Sequence, residues 1–262
     1  MASTLAKQKR VLRKAMRATL ANLTSEEIQA QSRQITRTLL ALPEFQQSKS
    51  VSCYLNMPTG EVDTSAVVAA IFDAGKTLYV PKMLDKERGI MDFLQIFGEH
   101  DLRTLPAGQW GIREPDEVRA GARRPSALSE SAEPLELIVM PGMAFDRSLS
   151  RLGYGRGFYD RFLAAYAQAG AGSGRGGRQR PRLGGFSRMA YLQCAARTTL
   201  TMVSFSTPGS SRACFCSAAD PLAFSSVALA LREQILEAGL VPVGETDWKV
   251  DVIIGPDGIV QS

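Results

Sequence analysis

The sequence has little of what marks several common protein classes. Of its four cysteines, Cys194, Cys214 and Cys216 fall in one stretch and Cys53 sits alone in a strand-like run. They form no paired framework of the kind that staples small secreted domains, and one Cys-x-Cys does not make a zinc site. A reducing compartment suits such a chain. The only histidine, His100, lies in the polar run Gly98-Glu99-His100-Asp101; it reads as a surface residue, which argues against a histidine-based mechanism. No apolar run approaches the roughly 20 residues of a membrane span, so no membrane association is expected. The start, MASTLAKQKRVLRKAMR, has no apolar core, and no acid precedes Glu26. No secretory signal is expected from it, and a cytoplasmic location is, with a basic mitochondrial presequence as the alternative.

What is present is a chain of 262 residues, 45% hydrophobic and 22% charged, enough for one sizeable core. The net charge of +5 invites a nucleic-acid reading. That charge is local. Residues 171–220 hold seven arginines, no lysine, no glutamate and one aspartate, a charge of +6, which leaves −1 for the remainder. A basic nucleic-acid-binding protein is therefore the weaker reading, and no nucleic-acid partner is expected.

Residues 4–20 read as a helix with Leu5, Leu12, Met16 and Leu20 on one stripe. A second helix follows Thr24, whose Thr-Ser-Glu-Glu run is a capping-box pattern; Ile28, Ile35, Leu39 and Leu42 form its apolar face and Pro43 stops it. Strands and helices then alternate. SVSCYL (50–55) is a strand, and Asp63 caps a helix carrying Val67, Val68, Ile71 and Phe72 that ends at Gly75. TLYV (77–80) is a strand closed by Pro81, and IMDFLQI (90–96) is another. Residues 114–134 read as a surface loop. LELIVM (135–140) has the continuous apolar character of a buried parallel strand. A helix runs from Phe158 to about Gln168, and VALAL, REQILEAG and VDVIIG read as strand, helix and strand. The order predicts a single α/β domain over 1–262, with an open, mostly parallel sheet covered by helices on both faces.

The strongest local signal is Arg151-Leu152-Gly153-Tyr154-Gly155-Arg156-Gly157-Phe158-Tyr159-Asp160. It follows the buried strand and runs into a helix. Alternate glycines let backbone amides approach an anion, the helix start favours negative charge, and Arg151 and Arg156 add cations. The spacing is that of neither a Rossmann turn nor a P-loop. A structural glycine turn is the plainer alternative, but the flanking charges point to phosphate.

The run PGMAFD…RLGYGRGFYDRFL closely resembles the signature of 5-formyltetrahydrofolate cyclo-ligases. Further matches follow in chain order: KQKRVLRKAMR, YLNMPTGEVDT, VPK, MDF, Trp110-Gly111-Ile112-Arg113-Glu114-Pro115, and VALALREQI with VPVGETDWKVDVII. The resemblance covers about 1–169 and 222–260. It implies an ATP- and Mg²⁺-dependent enzyme that converts 5-formyltetrahydrofolate to 5,10-methenyltetrahydrofolate, releasing ADP and phosphate, and acts as a monomer. By the same resemblance, Lys9, Arg10 and Arg13 and the loop residues Arg151 to Tyr159 (Leu152, Gly153, Tyr154, Gly155, Arg156, Gly157 and Phe158 between them) hold the nucleotide. Leu55, Glu61, Trp110, Tyr154 and Phe158 contact the folate, Arg151 and Glu61 are catalytic, and Asp160 and Asp247 hold the metal. Each has a plainer reading. Lys9 and Arg13 share a helix face at i and i+4, as a solvated basic face would. Glu61 is otherwise a surface acid, Leu55 an ordinary strand residue, Asp160 a first-turn dipole partner and Trp110 a structural aromatic.

Phe158 stands where the family commonly has tyrosine, and Ser148-Leu149-Ser150 replaces a glycine-containing turn. The larger departure is residues 171–220. They open on the flexible basic tract AGSGRGGRQRPRLGG and continue without a clear period. They read as a low-complexity, disordered and dispensable insertion, closer in composition to translated intron than to a lineage-specific loop. An inactive relative disrupted by this insertion is the second reading of the chain.

Overall fold

The computed structural model describes residues 2–108, 111–129, 132–169 and 225–260. Trp110 and the whole 171–220 insertion lie outside the described residues. The elements in chain order are helices α1 (Ala2–Leu20), α2 (Ser25–Ala41) and α3 (Pro43–Gln47), strand β1 (Ser50–Ser52), α4 (Ser65–Asp73), β2 (Thr77–Asp85), β3 (Ile90–Ile96), α5 (Glu99–Thr104) and the short strands β4 (Val118–Arg119) and β5 (Ala122–Arg123). After them come β6 (Leu137–Met140), β7 (Ala144–Asp146), β8 (Arg151–Leu152), α6 (Phe158–Ala169), β9 (Ser225–Leu229), a 3₁₀ turn (Arg232–Gln234), β10 (Ile235–Leu236), β11 (Val252–Gly255) and β12 (Gly258–Ile259).

Seven strands form the main sheet in the order β12-β11-β9-β6-β1-β2-β3. The five central strands are parallel, and β3 and β12 are antiparallel edges. Alternate residues of β6 serve opposite faces: Leu137 and Val139 join one core cluster with α2 and α4, while Ile138 and Met140 join a second with α6. The continuous apolar run of β6 is thus explained by burial on both sides, and the α/β architecture with helices on both faces is as the alternation of elements predicts.

The capping box at Thr24 is formed. Glu27 N–H donates to Thr24 Oγ1 at 3.2 Å, and Thr24 N–H donates to the Glu27 carboxylate at 2.8 Å. Thr24→Ala is expected to cost about 1 kcal/mol of stability, the usual worth of such a cap. A urea midpoint that falls at unchanged m would record it; an unchanged midpoint would contradict it. Pro43 ends α2 and opens α3, where its missing N–H costs nothing.

Three expectations are corrected. Pro81 does not close a strand, because β2 continues to Asp85. Pro81 pairs with Phe93, whose carbonyl turns away from β2 to accept from Ala127 N–H, so the ladder needs no donor at that position. REQILEAG is not a helix. Gln234 is buried; its amide donates to Gly142 O at 2.7 Å and its carbonyl accepts from Leu231 N–H at 2.9 Å. Ile235 and Leu236 then pair with Phe145 and Asp146, and this tertiary pairing outweighs helix propensity. Residues 114–134, read as a surface loop, contain the β4–β5 hairpin and the buried Arg124, which bonds both Asp101 oxygens at 2.6 and 2.7 Å. Arg124 leads the bonds that hold the Asp101 carboxyl at about 2. The stabilisation from this lowered carboxyl is present above the ordinary aspartate value and is lost as pH falls towards 2.

Candidate active site

The strand order reverses direction at the β1/β6 pair. From β1 the chain crosses by α4 to β2 on one side; from β6 it goes by α6 towards β9 on the other. Open parallel sheets bind ligands at the carboxyl ends of strands where this divergence leaves a crevice. A cavity of about 970 Å³ lies there, lined by Tyr54, Leu55 and Met57 to Glu61 after β1, by Pro141, Met143, Arg151 and much of the glycine loop after β6, and by Pro81 and Met83 of β2.

The glycine loop forms one side. Gly155 and Gly157 have φ of 115° and 69°, conformations that side chains rarely adopt, so the loop can turn directly into α6. Arg13 Nε donates to Gly153 O at 2.8 Å, which docks α1 on the loop. Burial, and then the neighbouring Arg17, push the Arg13 guanidinium below its ordinary value, the mark of crowded cations that favour an anion. Arg151 donates to Asp160 Oδ1 at 2.8 Å, and the same oxygen accepts from Trp248 N–H at 3.1 Å. Next along the chain, Asp247 pairs with Lys9 and accepts from Gly244 N–H at 2.6 Å. Lys9, Arg13, Arg151, Asp160 and Asp247 therefore meet around the loop, although they come from distant parts of the sequence.

Glu61, from the segment after β1, lines the same cavity. It is buried, accepts from Met57 N–H at 2.7 Å and from the Tyr154 hydroxyl at 2.5 Å, and has no ion-pair partner among the described residues. Burial pushes its carboxyl above the ordinary glutamate value, partly offset by those two bonds. Leu55, Met57, Met83, Ile112, Met143 and Phe158 supply apolar wall. Tyr159 also lines the cavity, and its hydroxyl, like Arg151 Nε, is buried without a hydrogen-bond partner among the described residues. The arrangement offers a basic glycine loop for phosphate, an apolar slot for a flat ring and an uncompensated carboxylate for N–H donors.

Not every expected residue joins the cavity. Arg10, roughly 100° around the helix from Lys9, is exposed and outside these contacts. Leu152 is buried in β8 and packs in the core. Arg156 does line the cavity and donates to Lys86 O at 3.3 Å, whereas Lys9, Arg13, Gly155 and Asp247 are not among its lining residues. Arg17, Tyr54, Met83 and the Lys82–Glu114 pair were missed by sequence reasoning. Arg17 had a signal: Lys9, Arg13 and Arg17 recur every four residues and share one face of α1.

The model of the 5-formyltetrahydrofolate cyclo-ligase family matches residues 5–174. The chain belongs to this family. Two cyclo-ligase relatives agree with that placement. A probable 5-formyltetrahydrofolate cyclo-ligase of Schizosaccharomyces pombe is 28% identical over 255 residues, covering 97% of this chain and 98% of its own. The 5-formyltetrahydrofolate cyclo-ligase of Mus musculus is 34% identical over 167 residues, 64% of this chain and 79% of its own. The solved 5,10-methenyltetrahydrofolate synthetase of Aquifex aeolicus shares the cyclo-ligase fold at TM-score 0.61 and 23% identity, covering 97% of this chain and 92% of that one.

Proposed function

We propose that this cyclo-ligase closes the ring of 5-formyltetrahydrofolate to 5,10-methenyltetrahydrofolate with consumption of ATP. The formyl oxygen of the amide-like N5 group is a poor leaving group. Transfer of the γ-phosphoryl group to it, with ADP leaving, lets N10 attack the formyl carbon and expel phosphate, with loss of the N10 proton. The protein's share is positioning and charge stabilisation. The observation that carries this reading is that one cavity is lined by both the basic glycine loop and the buried Glu61, which has no ion-pair partner among the described residues.

In this reading Lys9, Arg13, Arg151 and the loop from Gly153 to Tyr159 hold the phosphates. Leu55, Glu61, Tyr154 and Phe158 face the folate, with Glu61 accepting from pterin N–H groups. Asp160 and Asp247 suit Mg²⁺ chemically. Each commits one oxygen to the bonds above and leaves the other outside them among the described residues, which matches a hard cation held by one or two carboxylates and phosphates. When bound, the ion neutralises phosphate charge. Among the described residues no helix is long and apolar enough to cross a membrane. Near-ultraviolet absorbance of the methenyl product tests the activity. Its appearance from 5-formyltetrahydrofolate should require both ATP and Mg²⁺, and product formed without ATP would contradict the reading.

The 171–220 segment is proposed to be dispensable, on its Gly/Arg/Ser content and unpatterned sequence. A deletion that joins Gly170 to Pro221 through a short linker is expected to keep its fold and activity, since closure entropy changes by only about 0.6 kcal/mol per doubling of loop length. An unfolded or inactive deletion variant would place the segment in the working structure.

A further inference from the structure

Tyr154 occupies an unusual place: its backbone belongs to the glycine loop, and its side chain reaches Glu61. Gly153 and Gly155 flank it, and the loop beneath it is docked on α1 through Gly153 O. The Tyr154 hydroxyl donates to Glu61 Oε1 at 2.5 Å and lies 3.5 Å from Gly142 O. A phenol has one proton, so the shorter, charge-assisted bond takes it. Met57 N–H holds the other Glu61 oxygen at 2.7 Å. Each carboxylate oxygen thus has one fixed donor and keeps lone-pair capacity for a ligand.

We propose that Tyr154 is a positioning residue for the folate, acting through Glu61: its hydroxyl fixes the carboxylate's orientation and keeps it an acceptor, so that the phosphate loop itself sets the folate-recognition group. This rests on the assignment of Glu61 to the folate. The titratable groups that feel the Glu61 charge are Tyr54 from the segment after β1, Tyr154 from the loop and Tyr159 from α6; Cys53 acts on Tyr54 and Tyr159, and Arg151 on Tyr159. The three phenols and the thiol are all pushed up, Cys53 to about 12, so none carries charge near neutrality. Glu61 is then the group in this set whose titration governs folate recognition. The sign follows. Burial raises the Glu61 carboxyl and the Tyr154 bond lowers it, so loss of the hydroxyl moves the carboxyl further up.

The test compares wild type, Tyr154→Phe and Glu61→Gln by ADP release, measuring folate kcat/KM against pH at saturating ATP and Mg²⁺, and ATP KM at saturating folate. Tyr154→Phe is expected to raise folate KM about tenfold, in line with the loss of one hydrogen bond to a charged group. It should also move the acid limb to higher pH and change ATP KM far less than folate KM, because the loop meets phosphate through its backbone amides and the phenol ring is kept. Glu61→Gln should abolish that limb. If Glu61→Gln behaves so while Tyr154→Phe keeps the wild-type limb and folate KM, the positioning role is overturned and the folate assignment of Glu61 stands. If Glu61→Gln leaves folate kinetics unaltered, the assignment itself fails and the positioning role falls with it.

Discussion

Arg151→Ala and Asp160→Asn should each lower ATP-dependent turnover by about 10²–10³-fold, the usual cost of removing one preorganised group that stabilises developing charge. Arg151 is buried, donates to Asp160 at 2.8 Å and to Pro141 O at 3.4 Å, and lies 5.6 Å from the Tyr159 ring centre. Its position is therefore set before any ligand arrives, and an anion at the glycine loop meets a charge that needs no reorganisation. Asp160 Oδ1 anchors both that guanidinium and Trp248 N–H, which ties the Asp247 segment to the start of α6. Asparagine keeps an acceptor for these bonds and removes the charge. Asp160→Asn should therefore keep its near-ultraviolet circular dichroism while losing activity. Wild-type ATP KM and turnover in both variants would remove these residues from the nucleotide site.

Glu61→Gln should cut folate kcat/KM by roughly 10- to 100-fold and change ATP KM less than twofold. A charge-assisted hydrogen bond is worth about 1.5–3 kcal/mol, and tenfold corresponds to about 1.4 kcal/mol. The glutamine fits the same space, but its single carbonyl oxygen can accept from only one of Met57 N–H and the Tyr154 hydroxyl, and its amide offers a donor where an acceptor stood. Loss of ATP affinity with folate affinity kept would place Glu61 on the wrong ligand.

The parts of the fold that were legible in the sequence are those where local pattern and tertiary environment agree. The capping box at Thr24 and the fully apolar β6 follow from residues acting on near neighbours. The readings failed where a distant partner decided the outcome. Gln234 is spent on Gly142, almost a hundred residues away, and β10 pairs with β7 in place of forming a helix. Pro81 is tolerated in β2 because Phe93 turns its carbonyl elsewhere. The glycine-loop side of the cavity was legible because the Gly-x-Gly-x-Gly run and its charges are contiguous. The joining of Asp160 to Trp248 and of Tyr154 to Glu61 was not, since no spacing rule connects residues about 90 apart. The family motifs marked such residues individually, and the β1/β6 divergence is what brings them into one crevice.

The central claim is that the formyl oxygen leaves as phosphate, and an isotope label follows that atom. 5-Formyltetrahydrofolate carrying ¹⁸O in the formyl group would be turned over with unlabelled ATP and Mg²⁺, and the released inorganic phosphate analysed by mass. The account predicts one ¹⁸O in each phosphate formed, with ADP and methenyl product in equal amounts. Unlabelled phosphate, with the heavy oxygen released to water, would contradict phosphorylation of the formyl oxygen and the site roles built on it.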